Sequence, residues 1–201
     1  MAGQRTRTSF EGLAQTQAAI AYAERMHTGQ HRADGAPFIL HPLEVASLLH
    51  DAGAPDHLIA AGVMHDLIEK TDVSASELQE QFGRRITRLV LAVSDDDKIS
   101  GYAKRKASLR QQVADAGNEA LTLFAADKLS KLRELRREHA VDSRDSATPV
   151  RVRALRARRL KHYRRSLTLL EDRLAESLLV RELRDELGRL LCDHERLAAS
   201  R

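Results

Sequence analysis

Apolar positions along the chain recur at helix spacing, in segments separated by glycine- and proline-rich breaks. Leu13 to Met26 predicts a first helix. Residues 27–37, with two glycines and Pro37, predict a loop. His41-Pro42 opens a helix that runs to about Ala52, with Pro42 suited to the first turn. Gly53-Ala54-Pro55 ends it, and residues 56–70 predict a strongly apolar helix closing on His65-Asp66-Leu67-Ile68-Glu69-Lys70. Ser74 and Glu77 stand at capping-box spacing, for a short helix that reaches Phe82 and stops at Gly83. Helices are expected over 85–93, 102–114 and 119–139, broken by the charged run Asp95-Asp96-Asp97-Lys98 and the turn Ala116-Gly117-Asn118. A polar loop over 141–149 precedes two more helical segments, about 150–174 and 176–197. No stretch alternates convincingly enough to predict a strand. The expected fold class is all-α: a tail over residues 1–9, a core over 10–140, and C-terminal helices over 150–197 that complete the same domain.

Composition narrows this picture. Hydrophobic residues make up 42% of the 201 positions, but aromatics only 3%, so the core must be aliphatic. A single cysteine, Cys192, permits neither an internal disulfide nor a cysteine zinc site, which suits the cytoplasm. The first ten residues lack an apolar signal core, and no run reaches membrane-spanning length, so no membrane role is expected. The formal net charge of +4 admits an anionic partner, nucleotide or nucleic acid.

Candidate chemistry centres on His65-Asp66. At the end of a buried helix these residues are costly to desolvate unless something pairs with them. Helical spacing puts His65 beside Glu69 and Asp66 beside Lys70. Two further ligand-type residues stand out: His41 at the start of its helix, and Asp127 within the apolar run around Ala125-Ala126. Two imidazoles and two carboxylates suit a divalent transition metal such as manganese, iron or zinc. Each also has a plain alternative, a helix cap for His41 and a salt bridge to Lys128 or Arg133 for Asp127.

Three stretches in order carry a resemblance. They are His27-x-Gly29-Gln30-x-Arg32-x-x-Gly35-x-Pro37-Phe38-x-x-His41-Pro42, then His65-Asp66-x-x-Glu69, then Ala126-Asp127-Lys128-Leu129. Together they resemble the HD-type alarmone hydrolases: the hydrolase half of the RelA/SpoT proteins and the small single-domain hydrolases typified by metazoan Mesh1. Val93-Ser94-Asp95-Asp96-Asp97-Lys98, Arg105-Lys106 and Asp127-Lys128-Leu129 are similar to the small, Mesh1-like branch. The resemblance covers roughly residues 10–190 and leaves no room for a synthetase domain.

The resemblance implies an HD-domain helical bundle holding one manganese ion, or another divalent transition metal, through His41, His65, Asp66 and Asp127. It implies removal of the 3′-pyrophosphate from guanosine tetra- or pentaphosphate, the alarmone of the stringent response. Arg32 would pack on the guanine base, and Lys98 and Tyr163 would lie near the nucleotide. Glu69 would belong to an acidic pair acting on the water. Two positions depart from the family pattern. Lys70 replaces the second acid of the pair, and Lys131 replaces an asparagine four residues after Asp127, so both put a positive charge near the substrate. Alternatives are therefore kept: a phosphohydrolase for another nucleotide such as NADPH, or a nucleotide-binding protein impaired in catalysis.

The stretch 151–165 carries many arginines and no acid. It fits a solvated face, an edge turned to the nucleotide through Tyr163, or non-specific nucleic-acid binding. The last is the weakest, because no aromatic residues interleave and no nucleic-acid module is present. Leu170, Leu174, Leu178, Leu183, Leu187 and Leu190 form a stripe for packing within the chain, with homo-oligomerisation as the alternative.

Overall fold

The computed structural model describes residues 10–142 and 150–199, with side chains described over 10–138 and 154–192. The helices are α1 (Ala14–Met26), α2 (Leu40–Asp51), α3 (Asp56–Met64), α4 (Leu67–Lys70), α5 (Ala75–Val93), α6 (Tyr102–Ala116), α7 (Asn118–Asp142), α8 (Val150–Arg173) and α9 (Leu178–Ala199). Among the described residues the one extended pairing is a single bridge between His31 and Pro37, which pins the loop after α1. The all-α expectation holds. The chain divides into two compact units, Met1–Asp127 and Lys128–Arg201. The tail over 1–9 and most of the loop over 141–149 fall outside the described residues.

In the first unit α3 is the central helix, packed by α1, α2 and α5. Its run Leu58-Ile59-Ala60-Ala61-Gly62-Val63-Met64 is buried throughout. Gly62 allows the close approach of α2: a Cβ there would meet Leu49 Cδ1 at 2.5 Å. From α7, Ala120, Leu121, Leu123, Phe124, Ala125 and Ala126 add wholly buried apolar side chains.

Helix ends explain several boundaries. Leu13, at the N-cap of α1, gives no side-chain cap. The cap comes instead from α3: Asp56 accepts the Gln15 N–H at 3.0 Å and the Thr16 N–H at 2.9 Å. Ser74 caps α5, accepting the Glu77 N–H at 3.2 Å. Glu77 turns to Tyr22, accepting its hydroxyl at 2.6 Å. Gly83, at φ 81° and ψ 164°, kinks α5 where the sequence predicts one helix to stop and another to follow.

Glu119, at the start of α7, receives His57 Nε2 from α3 at 2.7 Å and Arg85 from α5 at 2.8 Å. Burial pushes this carboxyl up, but the hydrogen bonds from His57 and Arg85 outweigh it and the net shift is downward.

One expectation needs correction. The helix over 56–70 is not continuous. It breaks at His65 (φ −59°, ψ −28°) and Asp66 (φ −95°, ψ −2°), and α4 follows as a separate turn. In a regular helix adjacent side chains project about 100° apart. The break lets two neighbouring residues turn towards one point.

In the second unit α8 packs on α9. Leu170, Leu183, Leu187 and Leu190 are buried, Leu174 is half-buried and Leu178 is 56% exposed. Most of the leucine stripe is therefore covered within the chain. Arg133 pairs with Glu182 at 2.8 Å, and Arg136 pairs with Glu186. Within the basic stretch Arg156 is buried, whereas Arg158, Arg159, Lys161, Arg164 and Arg165 are exposed. Arg159 lies 3.7 Å from Glu138. The side chains of residues 151–153 fall outside the described ones.

Candidate metal centre and its rim

Four buried polar side chains of the first unit converge. His41 in the first turn of α2, His65 and Asp66 at the α3–α4 break, and Asp127 in α7 are each no more than 3% exposed. His41 Nε2 lies 3.2 Å from His65 Nε2, 3.6 Å from Asp66 Oδ2 and 3.3 Å from Asp127 Oδ1. His65 Nε2 lies 3.4 Å from Asp66 Oδ2 and 3.5 Å from Asp127 Oδ1. His65 Nδ1 meets the Gly62 carbonyl at 2.8 Å. A carbonyl only accepts, so Nδ1 carries the proton and the lone pair sits on Nε2, inside the cluster.

These spacings can be tested against a cation. Two donors about 2.1–2.2 Å from one transition-metal ion lie roughly 3.0 Å apart at right angles and roughly 3.5 Å apart at the tetrahedral angle. Edges of 3.2–3.6 Å fall in or near that range. The chemistry also fits: two neutral imidazoles and two carboxylates sum to the charge that a divalent cation neutralises. His41, His65 and Asp127 satisfy a metal-holding arrangement by themselves, and Asp66 Oδ2 approaches its two histidines. His41 is buried in the first turn of α2, and Arg133 pairs with Glu182.

Glu69 and Lys70 are exposed at the end of α4, the short helix that follows Asp66. Glu69 Oε1 accepts the Asp95 backbone N–H at 2.7 Å. Asp95 in turn is ion-paired to Lys106, with Arg105 at 3.7 Å. Lys70 is joined to the fold through its carbonyl, which accepts Gln30 Nε2 at 2.8 Å. Lys98 is exposed on the loop after α5. Arg32, on the loop after α1, pairs with Asp34 at 2.8 Å. The Arg32 hydrogen bond, and after it the Ala36 backbone N–H, hold the Asp34 carboxyl below the usual carboxylate range. Lys131 is half-buried and Tyr163 is buried, both within the second unit.

His27 and Gln30 both stand in the first motif, but spacing alone gives neither a role. His27 is 3% exposed, its Nδ1 lies 2.9 Å from Gln30 Oε1, and its ring packs at 4.8 Å from that of Phe38. The Phe38 ring lies 6.3 Å from that of His41. Burial pushes the imidazole down, against the raising effects of Gln30 and of the Asp66 charge.

The HD domain family model matches residues 19–161. The human guanosine-3′,5′-bis(diphosphate) 3′-pyrophosphohydrolase MESH1 is 36% identical over 128 residues, which span 62% of this chain and 71% of that protein. A GTP pyrophosphokinase of Streptomyces coelicolor is 35% identical over 127 residues, but the match spans only 15% of that longer protein. A solved structure of a metazoan ortholog of SpoT, described as hydrolysing ppGpp, superposes with a TM-score of 0.69 at 22% identity, covering 88% of this chain and 95% of that one. It is a likeness of fold.

Proposed function

This chain belongs to the HD domain family, and on that premise we propose that it is a metal-dependent phosphohydrolase that removes pyrophosphate from the 3′ position of guanosine tetra- or pentaphosphate. The observation that carries the proposal is the convergence of His41, His65 and Asp127, with nitrogen and oxygen donors 3.2–3.5 Å apart, and the approach of Asp66 Oδ2 to the two histidines at 3.4 and 3.6 Å. The kinship with human MESH1 supplies the substrate class. Manganese is the proposed ion, because nitrogen and oxygen donors without thiolate suit it. A cytoplasmic setting goes with this substrate, and among the described residues no helix is long and apolar enough to cross a membrane.

In this reading each residue has a defined task. His41 and His65 offer Nε2 lone pairs, and Asp66 and Asp127 offer one carboxylate oxygen each. The ion, when bound, supplies Lewis-acid polarisation of a phosphoryl oxygen and a lowered pKa for nearby water. Glu69, held by the Asp95 N–H, presents its carboxylate to the water. Arg32, fixed by Asp34, offers a guanidinium plane for the guanine base. Lys70 and Lys98 offset phosphate charge.

Product analysis tests this reading. Protein loaded with manganese and incubated with guanosine tetraphosphate should yield GDP and pyrophosphate. A second reading is favoured by Lys70, which puts an exposed ammonium where the family has a carboxylate: a protein that binds nucleotide without turning it over. Binding of guanosine tetraphosphate, with no turnover of it or of other nucleotides such as NADPH, would establish that alternative.

A further inference from the structure

The His27 side chain has a definite proton arrangement. The Lys70 carbonyl can only accept, so Gln30 turns its amide NH2 to it. Gln30 Oε1 therefore faces His27, and an oxygen there requires a proton on His27 Nδ1. In the neutral imidazole that leaves a bare lone pair on Nε2. Nε2 is buried and has no hydrogen-bond partner among the described residues. A buried acceptor left without a donor is unfavourable, so such a group in a folded protein calls for a ligand or a water. The surroundings indicate which. The Phe38 ring stands against both His27, at 4.8 Å, and His41, at 6.3 Å. The lone pair is therefore buried rather than on the outer surface, on a ring that Phe38 links to His41.

We propose that His27 Nε2 accepts a hydrogen bond from the water that attacks the 3′-phosphoryl group, and that Gln30 and the Lys70 carbonyl lock the imidazole in the tautomer that allows it. This rests on the phosphohydrolase reading of the pocket. In the step, the water oxygen forms a bond to phosphorus and the bond from phosphorus to the ribose 3′-oxygen breaks. One water hydrogen ends on that oxygen as the 3′-hydroxyl, and the other stays with the released pyrophosphate. His27 fixes the direction of the water and keeps its own proton on Nδ1 throughout. With Lys70 in place of a second carboxylate, His27 and Glu69 are then the two acceptors that share this task.

The test separates the two nitrogens. His27→Asn keeps a donor where Nδ1 stands, so the bond to Gln30 survives, but it has nothing at Nε2. His27→Gln can place its side-chain oxygen where Nε2 stands. Wild-type turnover of guanosine tetraphosphate is measured first, with kcat and KM then resolved for each variant. His27→Asn should lose about 10²-fold in kcat, on the scale of a lost orienting hydrogen bond, with KM little changed. His27→Gln should recover part of that loss. Nitrogen NMR of the wild-type protein should show the Nδ1–H tautomer for His27. Full turnover in His27→Asn overturns the role of His27 and leaves the hydrolase reading standing. An Nε2–H tautomer overturns it whatever the variants do. No turnover in the wild type overturns the hydrolase reading and the role of His27 with it.

Discussion

Glu69 Oε1 accepts the backbone N–H of Asp95 at 2.7 Å, which ties the last turn before Thr71 to the loop that follows α5. One oxygen of this exposed carboxylate is thereby fixed, and the proposed function assigns the other to the water. Replacing Glu69 by Gln keeps an oxygen to accept from Asp95 but removes the negative charge. Turnover should fall by about 10²–10⁴-fold, the usual worth of an acid–base group. Melting temperature and hydrogen exchange at the Asp95 amide should barely change. Loss of activity with an equally large gain in Asp95 exchange would mean that Glu69 matters as a tether.

If the four candidate ligands hold an ion, metal and stability are strongly linked. A ligand that binds only the folded chain adds about 2.7 kcal/mol at a concentration 100 times its dissociation constant. Manganese should therefore raise the melting temperature of wild-type protein, and a chelator should lower it. In Asp66→Ala the metal content measured by atomic absorption should drop, and the chelator should no longer shift the melting curve. Unchanged metal content in that variant would remove Asp66 from the set.

Gly62→Ala tests how tightly α2 and α3 approach. The added methyl gains about 1 kcal/mol of helix propensity over glycine. Against that, it meets Leu49 Cδ1 at 2.5 Å, and Leu49 is fully buried. Overpacking of this kind costs about 1–3 kcal/mol. The net effect should be destabilisation by chemical denaturation. Metal affinity should fall too, because the Gly62 carbonyl orients His65. A variant more stable than the wild type would show that α2 yields at this contact.

Much of this fold is legible in local chemistry. Ser74, Gly83 and Gly117 mark their helix ends through capping or a backbone angle that favours glycine, and each acts within a few residues of itself. Of the four metal-ligand candidates, His65, Asp66 and Asp127 interrupt apolar runs, and His41 opens a helix just after a loop. What could not be read is what depends on distant partners. The cap of α1 comes from Asp56, about forty residues on, and nothing around Leu13 signals it. The break at His65-Asp66 leaves the helical period intact, so residues 56–70 read as one helix. Glu69 meeting Asp95 and Gln30 meeting Lys70 are likewise contacts that no spacing rule encodes.

Tyr22 predicts a pH dependence. Burial, and then its hydrogen bond to Glu77, push its phenol from 10.0 up to about 12. A group whose pKa is raised by folding contributes stability that is fully present below its unfolded value and is lost as pH rises through the folded one. The contribution of Tyr22 should thus be intact below pH 10 and disappear between about 10 and 12. Alkaline melting curves of wild type and Tyr22→Phe should converge over that window. Curves that stay parallel would mean that Tyr22 ionises as an ordinary surface tyrosine.

Lys70 decides between enzyme and binding protein. Its backbone is anchored by Gln30, but its side chain is exposed at the end of α4, one turn after Asp66. From there the ammonium can pair with Glu69 or with a phosphate oxygen, and it cannot orient water as a carboxylate does. Wild-type hydrolysis should therefore be measurable but slow, with nucleotide binding largely kept. Lys70→Asp restores an acidic pair with Glu69 and should raise kcat, while KM for guanosine tetraphosphate rises because a cation facing phosphate is lost. Stability should change little at so exposed a position. A Lys70→Asp protein no faster than the wild type, with KM unchanged, would place this side chain outside the reacting centre and leave Glu69 as the sole acid at the rim.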